Sequence, residues 1–236
     1  MARIKWDNPG RRFFHGGLDR GVFYRVPSFG EGWNGLISVD ESPSDATPTA
    51  YYIDGRKYYN RPGDEEFAGT ITCYTYPERL EPYLGYLDMG TGLYVGQQSR
   101  DSFDLCYRTM IGDDSDIDAM SNYQIHIIYN CLIDSKSVSQ GTWTDSKDPI
   151  NFSYSFTTTP EKITGGRPTS HLFIDSRETD PLLLGYLENI LYGNDYRTPS
   201  LPRPDELKNL FDTYQPTGYG HGLYGHTTYG HGSEND

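Results

Sequence analysis

Four runs of alternating apolar and polar residues constrain the fold of this chain more than any other feature of its sequence. The runs cover residues 69–76, 103–109, 123–131 and 151–159. They are rich in β-branched and aromatic residues, which suit a pleated and half-buried surface. Pro77 ends the first run, because proline cannot donate to a strand ladder. Alternation over this length predicts strands with one face on a core, so we expect a mainly β protein built on an antiparallel sheet system.

Weaker signals place shorter elements around these four strands. Further short strands are predicted at 35–39, 93–95 and 169–175. The period then changes to that of an amphipathic helix, which Thr179 or Asp180 can cap and which Pro181 suits in its first turn. Gly193 suits its exit, and a second, short C-terminal helix is predicted at 204–211. The first helix is expected to flank the sheet and cover one of its faces.

A hairpin is predicted at Asp54-Gly55. The dipeptide lies between two aromatic runs, 50–53 and 56–59, and a type I′ turn needs residues that accept positive φ at both central positions. Residues 40–49 carry loop signals throughout. We therefore expect the loop and hairpin at 40–66 to project from the body.

We predict one β domain with an extension at each end. Residues 1–34 are rich in glycine and aromatics in a spacing typical of neither helix nor strand, which predicts an extended N-terminal arm. The alternative is that these aromatics complete the subunit's own core. Residues 35–212 form the domain, with loop and turn expected at 78–92. Residues 213–236 repeat a Tyr-Gly-His unit, for which we favour a flexible glycine-rich tail over a metal site.

Charge and cysteine content exclude several classes of protein. The formal net charge of −13 argues against general DNA binding, because neutralising phosphates requires lysine and arginine. No apolar run of transmembrane length and no secretory signal is visible. Cys73, Cys106 and Cys131 all fall in predicted strands. An odd count without CxxC spacing predicts buried free thiols in a reducing compartment rather than disulfides or a zinc site.

The sequence contains no motif that indicates an enzyme. GxSxG, P-loop and HExxH patterns are absent. His126 lies within an apolar alternation and is expected to pack in its strand, and His171 begins another strand. The stretch 114–118 resembles the start of an EF-hand, but the glycine and the closing glutamate are missing, so a solvated turn is expected. We expect no catalysis, no cofactor and no bound metal.

Eight short segments, taken in order, carry a resemblance to a known family. They are 33–36 (Trp-Asn-Gly-Leu), 40–44 (Asp-Glu-Ser-Pro-Ser), 51–55 (Tyr-Tyr-Ile-Asp-Gly), 74–77 (Tyr-Thr-Tyr-Pro), 93–98 (Leu-Tyr-Val-Gly-Gln-Gln), 107–109 (Tyr-Arg-Thr), 156–160 (Phe-Thr-Thr-Thr-Pro) and 167–172 (Arg-Pro-Thr-Ser-His-Leu). With them the sequence resembles major tail proteins of long-tailed phages that infect actinobacteria, over residues 3–212. The Tyr-Gly-His tail lies outside the resemblance.

The resemblance implies a tail tube subunit. Such a subunit is an antiparallel β-sandwich or barrel with two packed sheets, one flanking α-helix and a short C-terminal helix. It forms hexameric rings around a channel for DNA ejection, and its rings stack through termini and a long loop. The implied partners are copies of the chain, other tail proteins at the tube ends, and double-stranded DNA that passes without specific binding. The implied location is the virion tail, assembled in the host cytoplasm, with no membrane. An acidic surface suits a channel that DNA must traverse without sticking to its wall.

The candidate interface residues lie in the arm and the loop-hairpin. They are Phe13, Phe14, Phe23, Tyr24, Asp40, Glu41, Tyr51, Tyr52, Asp54, Tyr58 and Tyr59. Protruding segments suit contacts between rings, because a repeated head-to-tail interface builds a filament. Two other functions stay open. One is a distal tail or tail terminator protein of the same fold, which forms single rings, and the other is a carbohydrate-binding β-sandwich whose exposed aromatics stack on sugars.

Overall fold

A computed structural model describes residues 6, 12–25, 29–44, 49–61, 66–114, 121–134 and 149–214 of the chain. In chain order the strands are β1 (Phe13–Arg25), β2 (Phe29–Gly32), β3 (Leu36–Glu41), β4 (Thr49–Ile53), β5 (Arg56–Arg61), β6 (Ala68–Cys73), β7 (Leu87–Asp88), β8 (Tyr94–Val95), β9 (Phe103–Asp113), β10 (Asn122–Ile133), β11 (Phe152–Thr158) and β12 (His171–Asp175). The helices are a 3-10 helix at Glu78–Leu84, α1 at Pro181–Leu191 and α2 at Pro204–Thr213. The mainly β prediction with flanking helices is therefore confirmed.

Eight strands form one antiparallel sheet. The order of seven of these strands is β2-β1-β9-β10-β11-β6-β3. The eighth, β12, lies outside this order and pairs with β10. The four predicted core strands correspond to β9, β10, β11 and β6, which are neighbours in the middle of the sheet. Among the described residues no ladder joins the outer strands β2 and β3, so the sheet does not close into a barrel.

Strand β10 changes partners at Asn130. Before this residue it pairs with β12, from Gln124 to Ile128, and after it with β11, from Cys131 to Ile133. Asn130 has a φ of 52°, and the ladder with β9 shifts register at the same place. Asparagine adopts this left-handed conformation more readily than most residues. The irregularity therefore lets one strand serve two partners in succession.

The sheet curls, so that strands near one end of its order face strands near the other end across a first core. Phe23 of β1 and Leu105 of β9 belong to this core together with Ile71 of β6 and Phe156 of β11. Tyr83 of the 3-10 helix packs there as well, with its ring edge-on to Phe23 at a centroid distance of 5.1 Å. The curled sheet thus encloses its own core in the manner of a β-sandwich.

The opposite face of the sheet packs against α1 and α2 to form a second core. Cys106 of β9 lies in this core, because successive side chains of a strand point to opposite faces. Helix α1 begins at its predicted cap, where the Asp180 carboxylate accepts hydrogen bonds from the backbone N–H groups of Leu182 and Leu183 at 2.9 and 3.4 Å. Leu187 of α1 is fully buried in the second core. The predicted helix does cover one face of the sheet.

The predicted N-terminal arm is wrong for residues 13–25 and 29–32, which belong to the sheet. Strand β1 pairs with β9 along its length, and β2 returns beside β1. Phe23 and Tyr24 are 0% and 1% exposed, so these aromatics complete the subunit's own cores. The alternation is hidden because the ladder shifts register within 16–18 and again within 19–22. Each inserted residue reverses the face that the following side chains occupy.

The hairpin prediction is confirmed. Strands β4 and β5 pair only with each other among the described residues, and Asp54 and Gly55 have φ values of 50° and 75°, as a type I′ turn requires. The stretch 78–92, expected as loop and turn, contains the 3-10 helix, with Pro82 inside it, and β7. Strand β7 pairs with β8 in a second small sheet.

Cys73, Cys106 and Cys131 are buried free thiols, as predicted. In the part of the chain that the structure describes, no helix has the length and apolar character needed to span a membrane. The acidic stretch 115–120 and the Tyr-Gly-His tail from residue 215 onward lie outside the described residues.

Candidate functional site

A hairpin with exposed aromatic side chains is the most prominent surface feature of the described chain. We name it the aromatic hairpin, and it consists of β4, β5 and the turn between them. Its large apolar side chains are between 51% and 77% exposed, and they are Tyr51, Tyr52, Ile53, Tyr58 and Tyr59. A group of large exposed apolar side chains on one element marks a candidate interaction site.

Both faces of the aromatic hairpin carry exposed aromatic rings. Tyr51 and Tyr59 are cross-strand partners, with ring centroids 6.3 Å apart. Tyr52 follows Tyr51 directly in β4 and therefore points to the other face. At the base, Ser44 and Glu66 exchange backbone hydrogen bonds of 2.8 and 3.1 Å. A two-stranded hairpin is marginally stable by itself in water, so this one gains stability from any surface that covers it.

A second apolar ribbon was not predicted as an interface. It comprises β7, β8 and the turn between them, and its exposed side chains are Leu87, Met89, Leu93, Tyr94 and Val95. In the sequence, 93–95 indicated only a short strand. The ribbon is exposed because β7 and β8 pair with each other outside the main sheet. The sequence contains no pattern that predicts this pairing.

Two of the candidate interface residues are corrected by their burial. Phe23 lies in the first core and Tyr24 in the second, where its hydroxyl donates to the backbone carbonyl of Leu191 at 2.6 Å. A side chain without exposed surface cannot contact another subunit. The assignment of Phe23 and Tyr24 to an interface is therefore wrong.

Three other candidates retain accessible surface. Phe13 is exposed, and the Arg177 guanidinium lies 4.5 Å from its ring centroid. Phe14 is half-buried across the ladder from Gly112. Asp40 is exposed at the end of β3. An interface role for these residues, and for Asp54 and the tyrosines of the aromatic hairpin, stays a prediction.

Four polar side chains meet beside the point where β10 changes partners. Glu41 comes from the end of β3, Tyr107 from β9, His126 from β10 and His171 from β12. We name this group the histidine cluster. Glu41 was predicted at the interface, but its carboxylate contacts the cluster, and its side chain is 27% exposed against 14% for His126 and 20% for His171.

The polar atoms of the histidine cluster lie within contact distance of one another. Glu41 Oε1 is 3.6 Å from His126 Nδ1 and 3.4 Å from His171 Nε2. The two histidine nitrogens are 3.3 Å apart. The Tyr107 hydroxyl donates a hydrogen bond to the same Oε1 of Glu41. On the far side of its ring, His126 Nε2 lies 2.9 Å from Thr109 Oγ1.

The two histidine rings are stacked on aromatic neighbours, and burial shifts the pKa of both. Tyr107 stacks on His126 with centroids 4.8 Å apart, and Phe67 stacks on His171 at 5.1 Å. Burial lowers the pKa of His126 to about 4, although Glu41 opposes this shift. Burial also lowers the pKa of His171 against the same opposing carboxylate. Burial thus favours the neutral form of both rings, and a neutral imidazole keeps one nitrogen lone pair for a hydrogen bond or a metal ion.

The histidine cluster was missed by sequence reasoning. His126 packs in β10 and His171 begins β12, and both of those predictions are confirmed. The cluster forms because β10 pairs with β12 and because β3 ends over the same face of the sheet. No spacing of residues along the chain predicts either arrangement. The only sequence signal was the presence of both histidines in strands rather than loops.

Comparison with known proteins gives a similarity among solved structures. No protein-family model matches the chain, and the search of curated proteins found no match. The chain is similar to the sheath/tube terminator of PVC, an extracellular contractile injection system, in its extended state as seen by cryo-EM. The TM-score is 0.33 at 12% sequence identity, and the similarity covers 73% of this chain and 99% of that chain.

Proposed function

We propose that this chain is a structural subunit of a phage tail, and specifically that stacked hexameric rings of it form the tail tube. The observation that carries the proposal is the aromatic hairpin. It presents tyrosines on both of its faces, and each of its large apolar side chains is at least half exposed. The ring and tube arrangement is what the family resemblance of the sequence implies.

Both faces of the main sheet are already packed within the subunit, which favours assembly through strand edges and protruding segments. The first core fills one face, and α1 and α2 occupy the other. Among the described residues, the outer strands β2 and β3, the aromatic hairpin and the β7–β8 ribbon stay accessible to a partner. Edge strands that pair with a neighbouring copy lose their exposed hydrogen-bonding groups, and a closed ring achieves this for every copy.

The route of the chain supports a shared contact surface. Strand β3 is an outer strand of the sheet and leads toward the aromatic hairpin, so an edge contact within a ring and a hairpin contact between rings use one continuous stretch. The net charge of −13 suits a tube through which DNA passes without condensing on the wall. This role requires no catalysis.

Negative-stain electron microscopy of the purified full chain tests the proposal. We expect long tubes from the unaltered protein. The double substitution Tyr52→Ser and Tyr58→Ser removes two exposed rings of the aromatic hairpin, so tubes should be replaced by separate rings or monomers. Circular dichroism should show that the variant subunit stays folded, since neither ring is buried. Tyr196→Ser is the matched control, because Tyr196 is 99% exposed outside the hairpin, and this variant should still form tubes.

Other results would point to the competing functions. Single rings that never stack would identify a distal tail or tail terminator protein instead of a tube subunit. A protein that stays monomeric and binds glycans on an array would favour the carbohydrate-binding alternative. Tubes that form equally well in the double variant would show that the aromatic hairpin does not carry the assembly.

A further inference from the structure

Three ligand-type atoms of the histidine cluster form a nearly equilateral triangle. Its sides are 3.3 Å between the two histidine nitrogens, 3.4 Å from His171 Nε2 to Glu41 Oε1, and 3.6 Å from His126 Nδ1 to the same oxygen. A tetrahedral metal ion that binds nitrogen and oxygen at about 2.1 Å separates its ligand atoms by about 3.4 Å. The three atoms therefore already lie at three corners of a tetrahedron of that size.

Neighbouring side chains orient these ligands. An Nε2–H of His126 that donates to Thr109 Oγ1, 2.9 Å away, leaves the lone pair on Nδ1, which faces the triangle. The Tyr107 hydroxyl holds the carboxylate of Glu41 by donating to it. Hydrogen bonds of this kind fix the tautomer and direction of metal ligands and are part of functional metal sites.

The donor set selects the class of ion. Two imidazoles and one carboxylate suit Zn²⁺ and related divalent transition metals, whereas calcium and magnesium prefer sites made of oxygen atoms. Two neutral histidines and one carboxylate bring a single negative charge to a divalent cation. Three protein ligands leave the fourth position for a water molecule.

The cluster has a route to solvent. A cavity of about 330 Å³ lies beside it, and Glu41, Phe67 and His171 contribute to its lining. A hydrated ion that enters this cavity meets Glu41 and His171 in its lining.

We propose that Glu41, His126 and His171 bind one Zn²⁺ ion per chain. The ion would join the end of β3 to β10 and β12, which belong to a different part of the sheet order. It would thereby fix the strand from which the chain continues toward the aromatic hairpin. The site is complete within one chain, so the proposal does not depend on assembly into a tube.

The binding experiment must separate this site from the other histidines. Three of the six histidines lie in the Tyr-Gly-His tail, at His221, His226 and His231. The parent protein for the test is therefore the full chain with these three changed to glutamine. After removal of metal with a chelator, Zn²⁺ titration by calorimetry should give one bound ion per chain. Co²⁺ in place of Zn²⁺ should give the intense visible absorption of tetrahedral coordination.

Variants of the ligands then test the assignment. Glu41→Gln and His171→Gln should each lower Zn²⁺ affinity by more than about 100-fold, since losing even an outer-shell partner costs about 10- to 100-fold. Thr109→Ala, a change in a positioning residue, should cost about 10-fold. His15→Gln should leave the affinity unchanged, because His15 is outside the triangle. Zn²⁺ should raise the melting temperature of the parent but not of the Glu41 and His171 variants.

Circular dichroism and unfolding in chelator provide the folding control. Glu41→Gln keeps the size of the side chain and an oxygen that can accept from Tyr107, so this variant should fold as the parent does. A tail-substituted parent that binds no Zn²⁺ would overturn the proposal. So would a Zn²⁺ affinity that Glu41→Gln and His171→Gln leave intact, or that His15→Gln lowers as strongly.

Discussion

The guanidinium of Arg108 meets the carboxylate of Asp19 at two points across neighbouring strands. Arg108 Nε lies 2.7 Å from Asp19 Oδ1, and Nη2 lies 2.5 Å from Oδ2. The arginine also lies over the Tyr123 ring, 4.5 Å from its centroid, and its Nη1 is 4.0 Å from Oε1 of Glu188 in α1. One side chain, 10% exposed, therefore connects β1, β9 and α1.

Replacing this arginine should destabilise the fold strongly. Arg108→Met removes the cation between Asp19 and Glu188, so we expect the free energy of unfolding to fall by about 2 to 3 kcal/mol, since Asp19 keeps part of its hydration. Lys208→Met, which breaks the exposed Lys208–Asp212 pair, is the control and should change the stability little. Urea unfolding at pH 7 measures both, and equal losses would contradict the special role of Arg108.

The same ion pair should give the stability a dependence on acid. The hydrogen bond from Arg108 holds the pKa of Asp19 below its usual value of 3.8, against the opposing effect of burial. A carboxyl group with a lower pKa in the folded state binds fewer protons there, so its stabilisation is complete above the unfolded pKa and is lost as pH falls below it. Asp19→Asn should therefore lower stability at pH 7 and flatten the decline between about pH 4 and pH 2. A decline as steep as that of the unaltered protein would assign it to other carboxylates.

A glycine in the middle of the sheet should not tolerate a methyl group. A Cβ at Gly69 of β6 would lie 2.6 Å from the ring of Phe156 and 2.7 Å from the backbone oxygen of Asp40. Gly69→Ala should cost about 2 to 3 kcal/mol through overpacking. A Cβ at Gly32 of β2 meets nothing within 4 Å, so Gly32→Ala should change the midpoint of thermal unfolding little. A stable Gly69→Ala protein would mean that the strands at this position can separate.

Substitutions at Asn130 should separate its backbone role from its side-chain role. The amide donates to the carbonyl of Thr159 and to Glu161 Oε1, both at 3.0 Å, while the backbone holds positive φ. Asn130→Gly keeps that conformation and loses the hydrogen bonds, whereas Asn130→Ala loses both. We expect the alanine variant to be less stable than the glycine variant by about 1 to 2 kcal/mol in urea unfolding. The reverse order would show that φ at residue 130 is not costly for alanine.

The regular strands and the capped helix could be predicted because local residues decide them. The run 151–159 alternates without interruption and becomes β11, and Asp180 caps α1 as its side chain suggests. Strand β1 could not be predicted, because two irregularities reverse the facing of its residues, and one places Arg20 at a φ of 48°. Where a bulge falls depends on the neighbouring strand, which the local sequence does not describe.

The aromatic hairpin could be predicted from local residues, whereas the histidine cluster could not. Asp54-Gly55 gave the hairpin turn directly, so its exposed tyrosines could be named in advance. Glu41, His126 and His171 could not be grouped, because they come from three strands whose meeting depends on the order of strands in the sheet. Sequence patterns thus located the aromatic hairpin, which one local element forms, and missed the histidine cluster, which three strands form together.

Adjacent residues of β9 serve opposite sides of one layer, with Leu105 in the first core and Cys106 in the second. Release of β9 from the sheet would expose both interiors at once, so the two cores share one strand as a common support. Denaturation of the described part of the chain should therefore be all-or-none, with fluorescence and circular dichroism giving coincident curves.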